Sequence, residues 1–304
     1  MQIRPLAAAV GTLLGFSALS LPTTAAHAAT DPHRPVVVAH RGASAYAPEN
    51  TLAAVDKADD LGITWVENDV QRTKDGELVI IHDTNLKRTT NVEEIFPDRA
   101  PWKVADFTLK EIKRLDAGSW FSPAYAGTRV PTLEKYLERV SHHHQKLLME
   151  IKAPELYPGI EKQTLRELRR EGWLDRDHVE HKLVIQSFSA DSVKAVHKLR
   201  PDVKTGFLGT PAVAELPQYA KFTDQINPSF RTVTPEYVAA VHSLPGAHGR
   251  PLEVYTWTVD DGPTAARLKG YGVDGIISNK PDVVRDATAE DTSYSLPLAG
   301  VLAP

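Results

Sequence analysis

The sequence predicts an α/β fold, an eight-stranded parallel barrel wrapped by helices, and three observations carry that prediction. Short apolar runs of about four to six residues recur along the chain with helix-length amphipathic segments between them, the pattern of repeated strand–helix units around a parallel sheet. Eight such runs qualify as strands, the number a closed barrel takes. Polar and charged residues collect at the ends of those runs, where an α/β barrel carries its chemistry. At 304 residues the chain is long enough to bury a core of this kind as one domain.

Residues 1–28 read as a secretory signal peptide rather than as part of the fold. Arg4 supplies a positive start, Leu6 to Leu21 is apolar and small, and Ala26-His27-Ala28 fits the small-x-small cleavage rule. Pro22 closes an apolar run that is short for a bilayer span. Export is expected, with Ala29 as the first mature residue and no membrane insertion after cleavage. Losing Arg4 takes the formal net charge from −4 to −5, and an acidic balance without a basic cluster excludes a nucleic-acid partner. The chain has no cysteine, so an exported form has only its core and any bound metal to hold it.

The barrel domain is expected over 29–288. Its strands are Val36 to Ala39, Thr64 to Val70, Lys146 to Ile151, Leu183 to Gln186, Lys204 to Phe207, Asp224 to Ile226, Glu253 to Thr258 and Gly275 to Ser278. A further apolar run, Leu78 to Ile81, reads as a buried strand ending at His82. Helix starts are marked by Pro48-Glu49-Asn50, opening a helix through Asp60, and by Thr132, Thr234-Pro235 and Asp261-Gly262-Pro263. Thr84 to Arg129 breaks the rhythm as a small insertion after the second strand region. It carries Trp102, Phe107, Trp120 and Phe121 and is expected to form a lid or substrate rim. Residues 289–304, with Pro297 and Pro304, have no clear period and read as a C-terminal extension. His142-His143-His144 reads as a solvated run in a loop.

The strand-end residues are the ingredients of a metal-assisted phosphoryl-transfer site. Period-two alternation in Trp65-Val66-Glu67-Asn68-Asp69-Val70 puts Glu67 and Asp69 on one face. With Glu150 they form a set of hard oxygen donors suited to one divalent cation, Ca²⁺ or Mg²⁺; the alternative is ion pairing with Arg41 and Lys152. His40 and His82 flank the acidic pair and suit proton transfer to and from a phosphodiester near neutral pH. Arg41 and Lys152 supply positive charge for phosphoryl oxygens. Glu49 either caps its helix, pairs with Arg41 or meets substrate. Trp257 either bounds a small polyol with its indole face or packs in the core.

From about Val36 to Val284 the chain resembles the glycerophosphodiester phosphodiesterase family. The resemblance lies in His40-Arg41-Gly42 with Pro48-Glu49-Asn50-Thr51, Glu67-Asn68-Asp69-Val70, Thr73-Lys74-Asp75-Gly76 and Val79-Ile80-Ile81-His82-Asp83. It continues through Leu115-Asp116-Ala117-Gly118, Val130-Pro131-Thr132-Leu133-Glu134, Glu150-Ile151-Lys152, Gln186-Ser187-Phe188, Trp257-Thr258-Val259 and Gly272-Val273-Asp274-Gly275-Ile276-Ile277. It implies a TIM (β/α)8 barrel and hydrolysis of a small-molecule glycerophosphodiester to sn-glycerol 3-phosphate and an alcohol. It further implies that His40 and His82 are the acid–base pair, that Glu67, Asp69 and Glu150 hold the cation, and that Arg41 and Lys152 contact phosphate. One departure stands out: after Ile277 the family commonly has Thr-Asp where this chain has Ser278-Asn279. The aromatic insertion, through Trp102, Trp120 and Phe121, also fits a phospholipase D-like barrel acting on lysolipids or sphingolipids. A non-catalytic binding protein is the third reading, opposed by the intact histidines and carboxylates. The sequence carries no mark of oligomeric state.

Overall fold

The computed structural model describes residues 34–289; the segment expected to be a signal peptide and nearly all of the expected C-terminal extension lie outside the described residues. Nine strands form one sheet: β1 (Val36–Ala39), β2 (Trp65–Arg72), β3 (Leu78–Ile80), β4 (Lys146–Ile151), β5 (Leu183–Ser187), β6 (Lys204–Leu208), β7 (Gln225–Asn227), β8 (Glu253–Thr256) and β9 (Gly275–Ser278). Eight of them, all but β3, run parallel, and the sheet closes because β1 pairs with β9 on one side and with β2 on the other. This is the barrel that the spacing of apolar runs predicts. Each barrel strand is followed by at least one helix, from Leu52–Asp60 after β1 to Pro281–Ala289 after β9. No helix among the described residues is long and apolar enough to cross a membrane.

Strand β3 is buried, as its apolar run predicts, but it is not a barrel strand, so His82 does not close one as expected. It runs antiparallel to the far end of β2, with Val70 opposite Ile80 and Arg72 opposite Leu78, and forms the base of the insertion. A run of three buried apolar residues specifies burial but no direction. The insertion therefore leaves the barrel directly after β2, ahead of Thr84. It has its own small core of Val79, Ile81, Leu86, Val92, Val104, Phe107, Ile112, Leu115 and Val130. Phe107 is buried there, beneath the Arg99 guanidinium at 3.9 Å, and the Trp102 indole donates to Phe96 O at 2.8 Å. Of Trp102, Phe107, Trp120 and Phe121, only Trp120 is exposed.

Helix starts follow the expected chemistry at three of four places. Thr132, Thr234 and Asp261 each accept a hydrogen bond from the backbone N–H three residues on, satisfying a donor the helix leaves open. The fourth differs: Thr51, not Pro48-Glu49-Asn50, caps the first helix, accepting from Ala54 N. Pro48 to Asn50 form a loop whose purpose is tertiary. In the histidine run, His142 and His144 are exposed as expected, and only His143 departs from the solvated reading. His143 is held between Asp56 at 2.8 Å and Asp59 at 2.9 Å, tying the end of helix Leu133–His142 to helix Leu52–Asp60.

Inside the barrel, Val38, Leu148, Val184, Tyr255 and Ile277 form an apolar core. The helices pack outside on two larger clusters, one under the strands up to β5 and one under the remainder. The lining turns polar at both ends of that core. Towards the strand C-termini Asn227 Nδ2 donates to Gln186 Oε1 at 2.8 Å, and at the starts of β7 and β8 Gln225 Nε2 donates to Glu253 Oε2 at 2.9 Å. Buried polar groups of this kind are tolerated only when paired.

Candidate active site

The sequence His40-Arg41-Gly42 begins where β1 ends and forces the chain to turn. His40 N–H still bonds Ser278 O at 2.9 Å, extending the β9 ladder by one residue. Arg41 then takes φ 56° and Gly42 φ 79°. At Arg41 this left-handed backbone costs about 1–3 kcal/mol, and it aims the backbone N–H at Glu67 Oε2, 2.8 Å away. At Gly42 a side chain is impossible, because a Cβ would lie 2.6 Å from the Ala54 carbonyl carbon.

Alternation in β2 places Glu67 and Asp69 on the interior face, and register does the rest by setting Asp69 opposite Glu150 of β4. All three carboxylates are buried, and one oxygen from each lies within 4.8 Å of the others. Three like charges in low dielectric repel. Burial, then the charges of Asp69 and Glu150, push Glu67 well above the usual carboxylate range. Burial, then Asp69, pushes Glu150 up to about 8 despite Lys152 at 3.0 Å. Burial alone would raise Asp69 too, but Arg41, His82 and Lys152 outweigh it and hold Asp69 below its ordinary value.

The loop at Pro48 to Asn50 serves this cluster. Asn50, at φ 58°, gives Nδ2–H to Asp69 Oδ2 at 2.8 Å and accepts from Asp69 N at 3.3 Å. Asp69 Oδ1 is buried and accepts no hydrogen bond among the described residues, with the Lys152 ammonium 3.7 Å away. Glu49 caps nothing. Its carboxylate pairs with Arg41 at 2.9 Å and takes a two-pronged contact from Arg88 at 2.7 and 2.8 Å.

His82 follows the antiparallel β3 rather than a barrel strand, and side-chain bonds bring it to the barrel mouth. Gln71 of β2 sends its Nε2 to the carbonyls of Ile81, His82 and Asp83 at 2.8, 3.0 and 2.8 Å. Asp83 accepts from His82 Nδ1 at 2.7 Å, and Arg88 grips both Asp83 oxygens, holding that carboxyl far below the usual range. On the other side of the ring, Lys152 Nζ lies 2.9 Å from His82 Nε2. Burial, with Arg41 and Lys152 in support, lowers the His82 proton affinity against the opposing pull of Asp69 and Asp83. His40 Nδ1 meets Asn279 Oδ1 at 2.7 Å, and burial, then Arg41, takes its pKa down to about 4.

These groups surround a pocket of about 130 Å³ at the C-terminal ends of the parallel strands. Its wall includes His40, Arg41, Glu67, His82, Glu150, Lys152 and Trp257, together with Gln186, Phe188 and Ile277. Asp69 and Glu49 are not on the wall but touch residues that are, Asp69 at Lys152 and Glu49 at Arg41. Trp257 is half-buried, its indole N–H on Asn227 O at 2.8 Å and its ring edge-on to Phe188 at 5.5 Å. Sequence reasoning missed Asn50, Asp83, Arg88 and Phe188 as parts of the site. Asp83 had a visible mark, an acidic residue directly after a strand-end histidine; Arg88 had none, since its role depends on where a loop brings it.

The fold and this pocket define an α/β-barrel protein with an acidic cluster, two imidazoles and two cations converging at the catalytic face of the barrel. The chain belongs to the glycerophosphoryl diester phosphodiesterase family, whose profile matches residues 40–283. A glycerophosphodiester phosphodiesterase of Bacillus subtilis is 35% identical over 89% of this chain and 94% of its own length. Another from Caldanaerobacter subterraneus is 36% identical over 82% and 96%. Among solved structures, an Oleispira antarctica phosphodiesterase in complex with the product sn-glycerol-3-phosphate superposes with a TM-score of 0.73. It is 28% identical, over 83% of this chain and 96% of that one.

Proposed function

We propose that the protein is an exported, divalent-cation-dependent hydrolase that cleaves glycerophosphodiesters to sn-glycerol 3-phosphate and an alcohol, with His40 and His82 as its acid–base pair. One observation carries this reading: Glu67, Asp69 and Glu150 converge beside two imidazoles and two fixed cations around a single pocket. The sn-glycerol-3-phosphate complex of the Oleispira relative supports the choice of substrate class. Export is supported by the Arg4 start, the apolar run and the Ala26-His27-Ala28 site.

The donor set fits Ca²⁺ or Mg²⁺. Three hard carboxylates lie close together, and Asp69 Oδ1 is buried without a donor. When bound there, the ion supplies Lewis-acid stabilisation of charge on a phosphoryl oxygen. The remaining work falls to the chain itself. Arg41 and Lys152 bind the phosphodiester anion and stabilise the charge its oxygens gain at the transition state. Arg41 is held for this by Glu49, which Arg88 holds in turn.

The two histidines differ in what backs them. His40 has a neutral amide on Nδ1, and its lowered pKa keeps the ring unprotonated near neutral pH, so a ring lone pair is free to take the proton of the attacking oxygen, be it water or the substrate's own neighbouring hydroxyl. His82 has the Asp83 carboxylate on Nδ1, which favours the imidazolium. A phosphodiester anion beside Arg41 and Lys152 offsets the positive charge that lowers the His82 proton affinity. His82 then protonates the departing alkoxide. Purified protein supplied with Ca²⁺ or Mg²⁺ is expected to release sn-glycerol 3-phosphate from glycerophosphocholine and to stop on addition of a chelator. No release from any glycerophosphodiester with cation present contradicts the assignment.

A further inference from the structure

Resting on the reading of His40 as the proton-accepting imidazole, we propose that Asp260 and Asn279 are positioning residues that lock His40 in its Nδ1–H tautomer and leave Nε2 bare. The evidence is directional hydrogen bonding. A carboxylate only accepts, whereas a primary amide has one donating and one accepting end. Asp260 receives the Asn279 backbone N–H on Oδ1 at 2.8 Å, the Asn279 Nδ2–H on Oδ2 at 2.7 Å, and the Ser278 hydroxyl at 3.2 Å. Only the NH2 end of the Asn279 amide can face that carboxylate. Its Oδ1 end must therefore face the other way, where it meets the Ser44 hydroxyl at 2.8 Å and His40 Nδ1 at 2.7 Å. The amide oxygen has no proton to give, so the hydrogen in that last bond belongs to Nδ1. A neutral imidazole carries one N–H, and Nε2 is left with its lone pair.

The backbone makes the arrangement rigid. His40 N bonds Ser278 O at 2.9 Å and Ala45 N bonds Asn279 O at 3.0 Å, so the segment carrying the amide and the segment carrying the imidazole are tied at both ends. Interposing an amide also has a chemical consequence. A carboxylate placed directly on Nδ1, as Asp83 is on His82, favours the protonated ring; the Asn279 amide orients the ring without adding that charge. Asp260 acts through Asn279: its carboxylate bonds Asn279 and Ser278, and it does not line the pocket.

The test is a tautomer measurement with two variants, made on the full mature chain with divalent cation supplied. In Asp260→Asn the backbone N–H of Asn279 still takes the oxygen of residue 260. The new NH2 then turns the Asn279 amide around, so that Nδ2–H faces His40 and the ring proton moves to Nε2. Long-range ¹H–¹⁵N spectra of ¹⁵N-histidine-labelled protein, with His40 assigned by its loss in His40→Ala, are expected to show Nδ1–H in the wild type and Nε2–H in the variant. kcat is expected to fall about 100-fold or more with KM little changed, the size of a lost general base. Exchanging the two groups, Asp260→Asn with Asn279→Asp, again places an acceptor on Nδ1, now a charged one, and is expected to restore the Nδ1–H pattern and most of kcat once the pH exceeds the His40 pKa that the new carboxylate raises. An Nε2–H pattern in the wild type overturns the proposal, and that arm stands even where a variant does not fold. So does an unchanged His40 tautomer in Asp260→Asn, or an exchanged pair that recovers neither tautomer nor turnover. Wild-type protein that shows Nδ1–H but hydrolyses no glycerophosphodiester contradicts the functional reading and leaves the tautomer lock intact.

Discussion

Replacing His40 or His82 by alanine is expected to lower kcat by about 100- to 10,000-fold, the range general acid–base catalysis spans, while the thermal midpoint moves little. Both rings line the pocket; His40 makes one side-chain bond and His82 two, to Asp83 and Lys152, and Lys152 keeps its pairing with Glu150 when the ring is removed. Asn279 keeps Ser44 and Asp260, and Asp83 keeps Arg88. Neither ring fills the hydrophobic core, so loss of turnover here is loss of proton transfer and not of fold. The double variant is expected to be little worse than the poorer single one, because residues that act as a unit in one step are not additive. Steady-state kinetics and thermal melts on the three variants check this. Full activity in either single variant removes that histidine from the reaction.

Glu150→Gln and Asp69→Asn are expected to cost about 1,000-fold or more in kcat, since Lewis-acid stabilisation is worth several kcal/mol and each 1.4 kcal/mol is tenfold. The same carboxylates make stability depend on pH in a defined direction. Glu150 has its folded pKa raised to about 8 from an ordinary value of 4.5. For a group raised on folding, the contribution is fully present below the unfolded pKa and is lost as pH rises through the folded one. Cation-free protein should therefore lose stability between pH about 4.5 and about 8, where the unfolded chain ionises and the buried carboxyl resists. Cation binding needs the ionised form, so it releases protons and tightens over the same window. Thermal melts with chelator and with Ca²⁺ or Mg²⁺ are expected to diverge as pH rises. Glu150→Gln should make the cation-free curve shallower, leaving the share that belongs to Glu67, and abolish the gain from cation. A wild-type protein whose melting is indifferent to both ions at pH 8 contradicts the acidic cluster's role.

Much of this was legible in the residues. The apolar runs at Val36 to Ala39, Lys146 to Ile151 and Gly275 to Ser278 coincide with β1, β4 and β9, and the alternation around Asn68 put both acids on one face. These features are local, and local periodicity reports them. What escaped depends on contacts across the chain. Pro48-Glu49-Asn50 looks like a helix start until Asp69, nineteen residues on, claims the Asn50 amide. The antiparallel course of β3 is fixed by its pairing with the end of β2 and by Gln71, not by anything within Leu78–Ile80. Arg88 lies in a loop with no periodic mark, yet it joins Glu49 to Asp83 and so links the holder of Arg41 to the holder of His82. The Asn279 departure was visible as a residue, but its bond to His40, 239 positions away, was not. Local pattern therefore placed the elements and most pocket residues, while the network that aims them appears only in three dimensions.

The most direct measurement is a crystal structure of the protein with a divalent cation and sn-glycerol 3-phosphate. The ion is expected on Glu67, Asp69 and Glu150, the phosphate against Arg41 and Lys152, and His40 and His82 within hydrogen-bonding reach of phosphate oxygens from opposite sides. An ion bound elsewhere, or a phosphate outside the pocket between the two histidines, contradicts the account.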